Sequence, residues 1–229
     1  MLALDHIVVA SQNPEEACAS YARKTGFKTV EGGTHEKWGT YNHLCFFPNQ
    51  SYVEWIGIID EIKASHSENP LIQQLYEALA QNQQGLIQFA LRTANMDAYV
   101  HEFQQQNIPY SGPYQGQRQK QDGELLKWQM LFPSVKSDSW TAPFLIEWEK
   151  DRIPEDKSAE VNQPLTELNI GVRSPEHSVP LFQDLYQLGP ARTEKGEIGN
   201  PSFYWPLENA KLTMSIGEGL EANVNGMIL

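Results

Sequence analysis

The sequence is poor in basic residues, in cysteine and in long apolar runs, and each shortage closes off a class of function. Seventeen Lys and Arg face 29 Asp and Glu, for a formal net charge of −12 in 229 residues. That sign repels phosphate backbones and anionic membrane surfaces, so nucleic acid and membrane are set aside as partners. Apolar stretches such as residues 7–10 and 144–146 fall far short of the roughly 20 residues that span a bilayer, and the MLALDHIVVA start lacks the basic flank and cleavage site of an export signal. Two cysteines, Cys18 and Cys45, cannot build a disulfide framework or a thiolate metal site, and a cytoplasmic location is expected. The sequence also contains no GxGxxG, Walker A, GxSxG, HExxH or CxxC pattern, which removes the common nucleotide-binding, hydrolase and thiol-redox signatures.

What the chain does contain is a diverged internal repeat. The first unit, residues 1–62, opens with the alternating segment ALDHIVVA, followed by Asn13-Pro14, a helix pattern ending at Gly26, and three strand-like runs: FKTVEGGTHEKWGT, YNHLCFF and SYVEWIGII. The order is βαβββ. Residues 85–150 repeat it with GLIQFALRTA, a helix over 96–107, a polar strand or loop over 110–123, LLKWQMLFP and APFLIEWEK. Between the units, residues 63–84 contain an amphipathic connecting helix over 69–83. Residues 151–164 read as a charged linker, its acidic run 155–160 solvated, and 165–229 as a third, shortened copy that suggests an interface unit and a homodimer. The fold class expected is α+β, tandem βαβββ modules closing into a cup.

Strand alternation puts His6 and Val8 on one face of the first strand and Ile7 and Val9 on the other. Laying residues 4–9 over 86–91 and residues 52–55 over 145–148 brings His6, Glu54, Gln88 and Glu147 to matching positions, where a cup would converge them. Carboxylates in apolar strands are costly unless paired, hydrogen-bonded or metal-bound, so Glu54 and Glu147 carry the most information. One imidazole, one amide and two carboxylates suit an octahedral divalent ion such as Zn, Ni, Mn or Fe(II). The competing reading has His6 bonded to backbone and the glutamates at rims or paired with Arg92 and lysines. In GGTHEKWGTYN, three glycines surround His35, Trp38, Thr40 and Asn42. That segment is either an ordinary hairpin or a loop over the cup mouth, in which His35 is acid, base or extra ligand and Asn42 orients substrate. Arg92 is placed to meet an anionic substrate group or to form a salt bridge to Glu147 or Glu149. Trp128, Trp148 and Trp205 read as core, and the two cysteines as small core residues.

Tandem units opened by LDHIVV and closed by YVEWIG, with GGTHEKWGTYNHL, KWQMLFP and PFLIEWE between and after them, resemble the vicinal oxygen chelate superfamily and, within it, a bacterial glyoxalase-like domain family. The resemblance covers residues 1–150 well and the third copy poorly. It implies a cup holding one divalent metal, with ligands at His6, Glu54 and Glu147 and with Gln88 where histidine is common, and with Glu54 or Glu147 moving a proton. Having one histidine in that set disfavours dioxygen chemistry and favours a lyase or isomerase acting on a small carbonyl compound. The alternatives are a metal-free binding or sequestration protein using the same cup and a scaffold with a filled cup. In the third copy, Asn169 and Met214 are expected at the positions of His6 and Glu54.

Overall fold

The computed structural model describes residues 1–119, 125–135, 140–151, 153–154, 163–196, 200–224 and 227–228; the acidic run 155–160 lies outside them, as does much of the expected linker. The first unit comprises β1 (Ala3–Ala10), α1 (Pro14–Thr25), β2 (Val30–His35), β3 (Thr40–Phe46) and β4 (Tyr52–Ile58). Two connecting helices follow, α2 (Glu61–Ser65) and α3 (Pro70–Ala80). The second unit is β5 (Gly85–Arg92), α4 (Met96–Gln105), β6 (Tyr110–Gln119), β7 (Leu125–Pro133) and β8 (Phe144–Trp148). The third is β9 (Leu165–Val172), α5 (Pro175–Tyr186), β10 (Arg192–Lys195), β11 (Pro201–Pro206) and β12 (Lys211–Ile216), continued by β13 (Leu220–Val224) and β14 (Met227–Ile228).

Local signals start and stop these elements. The Asn13 side chain accepts the Glu16 N–H, Pro14 occupies the first turn of α1, and Gly26, at φ 74°, ends it. The same Asn-Pro device opens α3, where the Asn69 side chain accepts the Leu71 N–H at 3.0 Å.

The first two units form one eight-stranded sheet in the order β2-β3-β4-β1-β5-β8-β7-β6. β1 and β5 meet antiparallel at its centre, and each pairs in parallel with the last strand of its own unit. The sheet curls until its two ends meet: Arg118 on β6 donates to the Gly32 carbonyl on β2 at 2.8 Å. The convex face carries Ile7, Val53, Phe89 and Leu145, which form a continuous core with Phe103 of α4 and Phe182 of α5 and with the third sheet's Leu168 and Leu212. The concave face carries a second apolar cluster, covered by Leu71, Ile72 and Leu75 of α3. No helix among the described residues is long and apolar enough to cross a membrane.

The third sheet, β10-β11-β12-β9-β13-β14, repeats the geometry of the first unit: β9 pairs in parallel with β12 and antiparallel with β13. Glu167 precedes the α5 cap Ser174 as His6 precedes the α1 cap Asn13, and Asn169 faces Thr213 as Val8 faces Glu54, which aligns Glu167 with His6 and Thr213 with Glu54. Asn169 and Met214 therefore do not stand at the positions expected from sequence, and Met214 is core.

A reciprocal pair of asparagines joins the first and third units. Asn209 accepts the Leu4 N–H and donates to the Leu4 carbonyl, both at 2.8 Å, while Asn49 donates to the Leu165 carbonyl at 2.8 Å. Each also donates to the other's carbonyl. Leu4 flanks a β-bulge, a register shift between Leu4 and His6 against β5. Replacing Asn209 by Ala would strand both backbone groups of the fully buried Leu4. The expected loss is about 2–3 kcal/mol of stability, read from urea denaturation.

Candidate functional site

Between the concave face and α3 lies a cavity of about 40 Å³. That is room for roughly two or three waters or a small chemical group. Its polar lining is His6, Glu54, Asn42, His35, Asn69 and Arg118; its apolar walls include Trp38, Trp128, Phe144, Ile146 and Trp148. His35, Trp38 and Arg118 also border an open groove of about 690 Å³ between β2 and β6, so these three residues stand between the cavity and solvent.

The bulge in β1 sets the chemistry. Strict alternation would send Asp5 away from His6, yet Asp5 Oδ1 lies 2.7 Å from His6 Nδ1. An ionised carboxylate only accepts, so this contact places the ring proton on Nδ1 and turns Nε2 toward the cavity. Asp5 has no exposed surface, and its other oxygen accepts from Trp148 Nε1 at 2.9 Å and Arg92 at 3.2 Å. His6 Nε2 stands 3.5 Å from Glu54 Oε2, too far for a strong hydrogen bond, so both atoms can address a ligand. The Tyr52 ring stacks on His6 with centroids 4.6 Å apart, and burial, with Asp5 and Glu54 adding to it, keeps the Tyr52 phenol protonated. Asn42 donates to the other Glu54 oxygen at 2.5 Å and receives Arg118 on its own oxygen at 3.3 Å. Gly32 permits this last contact: a Cβ there would sit 2.0 Å from Asn42 Oδ1. Burial depresses the basicity of Arg118.

The sequence-derived residues divide into two groups. His6, Glu54, Asn42, His35 and Trp38 meet at the cavity; Thr40 lies behind His35, hydrogen-bonded to its Nδ1 at 3.0 Å. Gln88, Glu147 and Arg92 do not line it. Gln88 donates to the Ala142 carbonyl and accepts from Phe89 N–H. Glu147 accepts from Met96 N–H, at the start of α4, and from Gln129. Arg92 binds Asp5 and the Gln50 carbonyl, not Glu147 or Glu149.

The reason is register. Gln88 precedes the α4 cap Asn95 as His6 precedes the α1 cap Asn13, so it stands at the expected position; but Ala90 pairs with Phe144 as Val8 pairs with Glu54, so the second-unit counterpart of Glu54 is Phe144. Glu147 lies three residues on, and an odd step turns a strand side chain to the other face, leaving Phe144, Ile146 and Trp148 toward the cavity. Gln88 and Glu147 thus do not join His6 and Glu54 in the cavity lining, and the described residues contain no group of three or more His, Cys, Asp or Glu able to hold a metal. Trp128, Trp148 and Trp205 are all core as expected, and the first two also line the cavity. Burial pushes the Cys18 and Cys45 thiols up to about 11 and about 12, which leaves neither a ready nucleophile.

Asp5, Tyr52, Asn69 and Arg118 escaped the sequence reading. Asp5 could have been found by the argument used for Glu54, a carboxylate inside an apolar strand. Arg118 sits in the polar run QGQRQ, which carries no such contrast.

A curled sheet of paired βαβββ units around a polar-lined cavity defines a domain of the vicinal oxygen chelate type. The chain belongs to the glyoxalase-like domain family, whose profile matches residues 4–186. A hypothetical protein from Staphylococcus aureus is similar in structure, with TM-score 0.74, 19% identity and coverage of 96% of this chain and 87% of that one. Methylmalonyl-CoA epimerase from Streptomyces coelicolor matches at TM-score 0.46 and 18% identity over 63% of this chain and 95% of its own. A hypothetical protein from Bacillus halodurans matches at 0.47 and 15%, over 68% and 99%. No curated protein matches the sequence.

His35 gives the site a pH signature. Burial, partly opposed by Glu54 and reinforced by Arg118, lowers its pKa to about 4 from an ordinary 6.5. The unfolded chain therefore binds this proton first, and the contribution to stability is complete above pH 6.5 and lost as pH falls toward 4. Between pH 7.5 and 5 the wild type should lose about 2 kcal/mol more than His35→Gln, measured by urea denaturation at both pH values.

Proposed function

We propose that the chain is an enzyme of lyase or isomerase type, moving a proton on a carbon beside a carbonyl of a small molecule. One observation carries this reading: Asp5, His6 and Glu54 form a buried line of ionisable groups that ends in an apolar-walled cavity. Asp5 orients the ring, so His6 Nε2 is positioned to take a proton. Glu54 Oε2, on the same side of the cavity, is positioned to return it or carry it onward. A base and an acid side by side suit a proton shift along one face of the substrate better than inversion at a centre, which needs groups on opposite faces. Arg118 supplies fixed positive charge for an oxygen that becomes negative as the proton leaves.

The superfamily implies a divalent metal, and the donor set does not fit one. His6 and Glu54 are two donors, Gln88 and Glu147 are engaged by other groups and do not line the cavity, and the buried Arg118 cation does. No step is assigned to a metal. Zn, Ni, Mn or Fe(II) should accordingly move the melting temperature by less than about 1 °C, whereas tight loading would shift it by several degrees.

Proton exchange tests the catalytic reading. In D₂O, the wild type should wash deuterium into the α-position of a member of a panel of 2-hydroxyketones, 2-oxoacids and 2-substituted acyl thioesters, followed by proton NMR. His6→Gln and Glu54→Gln should each slow that exchange by roughly 10²-fold or more. Binding without exchange would support the second reading, a metal-free binding protein, which the Trp38, Trp128, Phe144 and Trp148 walls favour. A cytoplasmic location and a homodimer complete the proposal.

A further inference from the structure

Asn69 holds the one cavity-lining side chain, among the described residues, whose buried polar atom has no partner: its Nδ2. Everything else about this residue is satisfied. Its N–H donates to Ser67 Oγ, its carbonyl accepts from Ile72 and Gln73, and its Oδ1 caps α3 through the Leu71 N–H. The cap also fixes the amide orientation, because turning the side chain over would set Nδ2 against another donor. With 1% of its surface exposed, Asn69 cannot turn to water instead. A donor held this way, beside Leu71, Ile72 and Ile56, calls for an acceptor from inside the cavity.

We propose that Asn69 Nδ2 binds a carbonyl or carboxylate oxygen of the ligand, making Asn69 a ligand-positioning residue and α3 the cover that closes on the ligand. The inference rests on the cavity being the ligand site proposed above, and it adds the ligand's chemistry. Arg118 lines the same space as a buried cation and Glu54 as a carboxylate, so a ligand's acceptor group is drawn toward the first and away from the second. The cavity is small, and beyond its polar residues its walls are apolar. The ligand class is therefore a short ketone or carboxylic acid, or a larger molecule ending in one, presenting an acceptor and no donor to Asn69. It also gives the connecting segment a part in recognition: α3 touches β1 and β5, and the cavity is incomplete without it.

The test uses three probes of similar size: 2-butanone, isobutyrate and the donor-only 2-butylammonium. Binding to the full chain is followed through the Trp indole N–H signals in NMR titrations, and cover closure through hydrogen exchange of the amides of residues 70–80. Wild type should bind 2-butanone and isobutyrate, exclude 2-butylammonium and slow exchange in α3 on binding. Asn69→Ser retains a capping hydroxyl and removes the Nδ2 amide, leaving only a shorter O–H held at the cap; it should bind the acceptor probes about five- to tenfold more weakly. Asn69→Asp retains the cap with a carboxylate and should lose isobutyrate altogether, so one folded variant suffices.

Equal binding of the acceptor probes by wild type and a folded variant overturns the proposal. So does binding of the donor-only probe alone, or of no probe, which would leave Nδ2 facing a water only. The two proposals fail separately: Asn69-dependent binding with no α-proton exchange in any compound removes the proton-transfer reading and leaves this one standing.

Discussion

A carboxylate with no exposed surface has to be matched by donors or it unfolds the strand that carries it, and Asp5 is such a group. Its three partners come from three adjacent strands: His6 on β1, Arg92 on β5 and Trp148 on β8. The same contacts thus tie the first unit to the second and hold the imidazole in one orientation. The stacked Tyr52, the opposing Glu54 and the Asn42–Arg118 chain behind it extend that fixed arrangement across the cavity. Structure and site share a single set of interactions here, and a change at Asp5 disturbs both.

The third unit enters this account through the bulge that turns Asp5 inward. Asn209 holds both backbone groups of Leu4, the residue at the edge of that bulge, and Asn49 returns the contact to Leu165. Without a gripped backbone a bulge can slip, and a slip by one residue would exchange the faces of Asp5 and His6. The third sheet carries its own version of the arrangement: Lys211 stands 2.8 Å from Glu167 and 2.9 Å from Glu194, and Thr213 donates to Glu167 at 2.6 Å. Glu167, Lys211 and Thr213 occupy the register of His6, Tyr52 and Glu54, but as an ion-paired polar cluster on an open face. Across the three units the strand scaffold is constant and the side chains at these positions set what each face can do.

The repeat was legible because it rests on periodicity and capping, which are local: Asn13-Pro14, the alternating ALDHIVVA and the Gly26 stop are visible without any tertiary information. His6, Glu54, Asn42 and His35 were legible for a related reason, as polar residues set among apolar ones. The matching E-W pair suggests that Glu147 is Glu54's counterpart, but β8 turns Phe144, Ile146 and Trp148 to the cavity and Glu147 to the other face, against the start of α4. Strand register depends on neighbours distant in sequence, so identical dipeptides do not secure it. Asn69 was hidden differently. It reads as an ordinary helix cap, and only the packing of α3 over the cup shows that its other amide atom is left without a partner.

The central claim is that buried Asp5 fixes His6 with its proton on Nδ1 and its Nε2 toward Glu54, and imidazole ¹⁵N chemical shifts in two-bond ¹H–¹⁵N spectra test it most directly. Wild type should show a protonated Nδ1 throughout the accessible pH range, with Asp5→Asn disrupting that state. A His6 ring carrying its proton on Nε2 with Nδ1 bare, in the folded wild type near pH 7, would contradict the account.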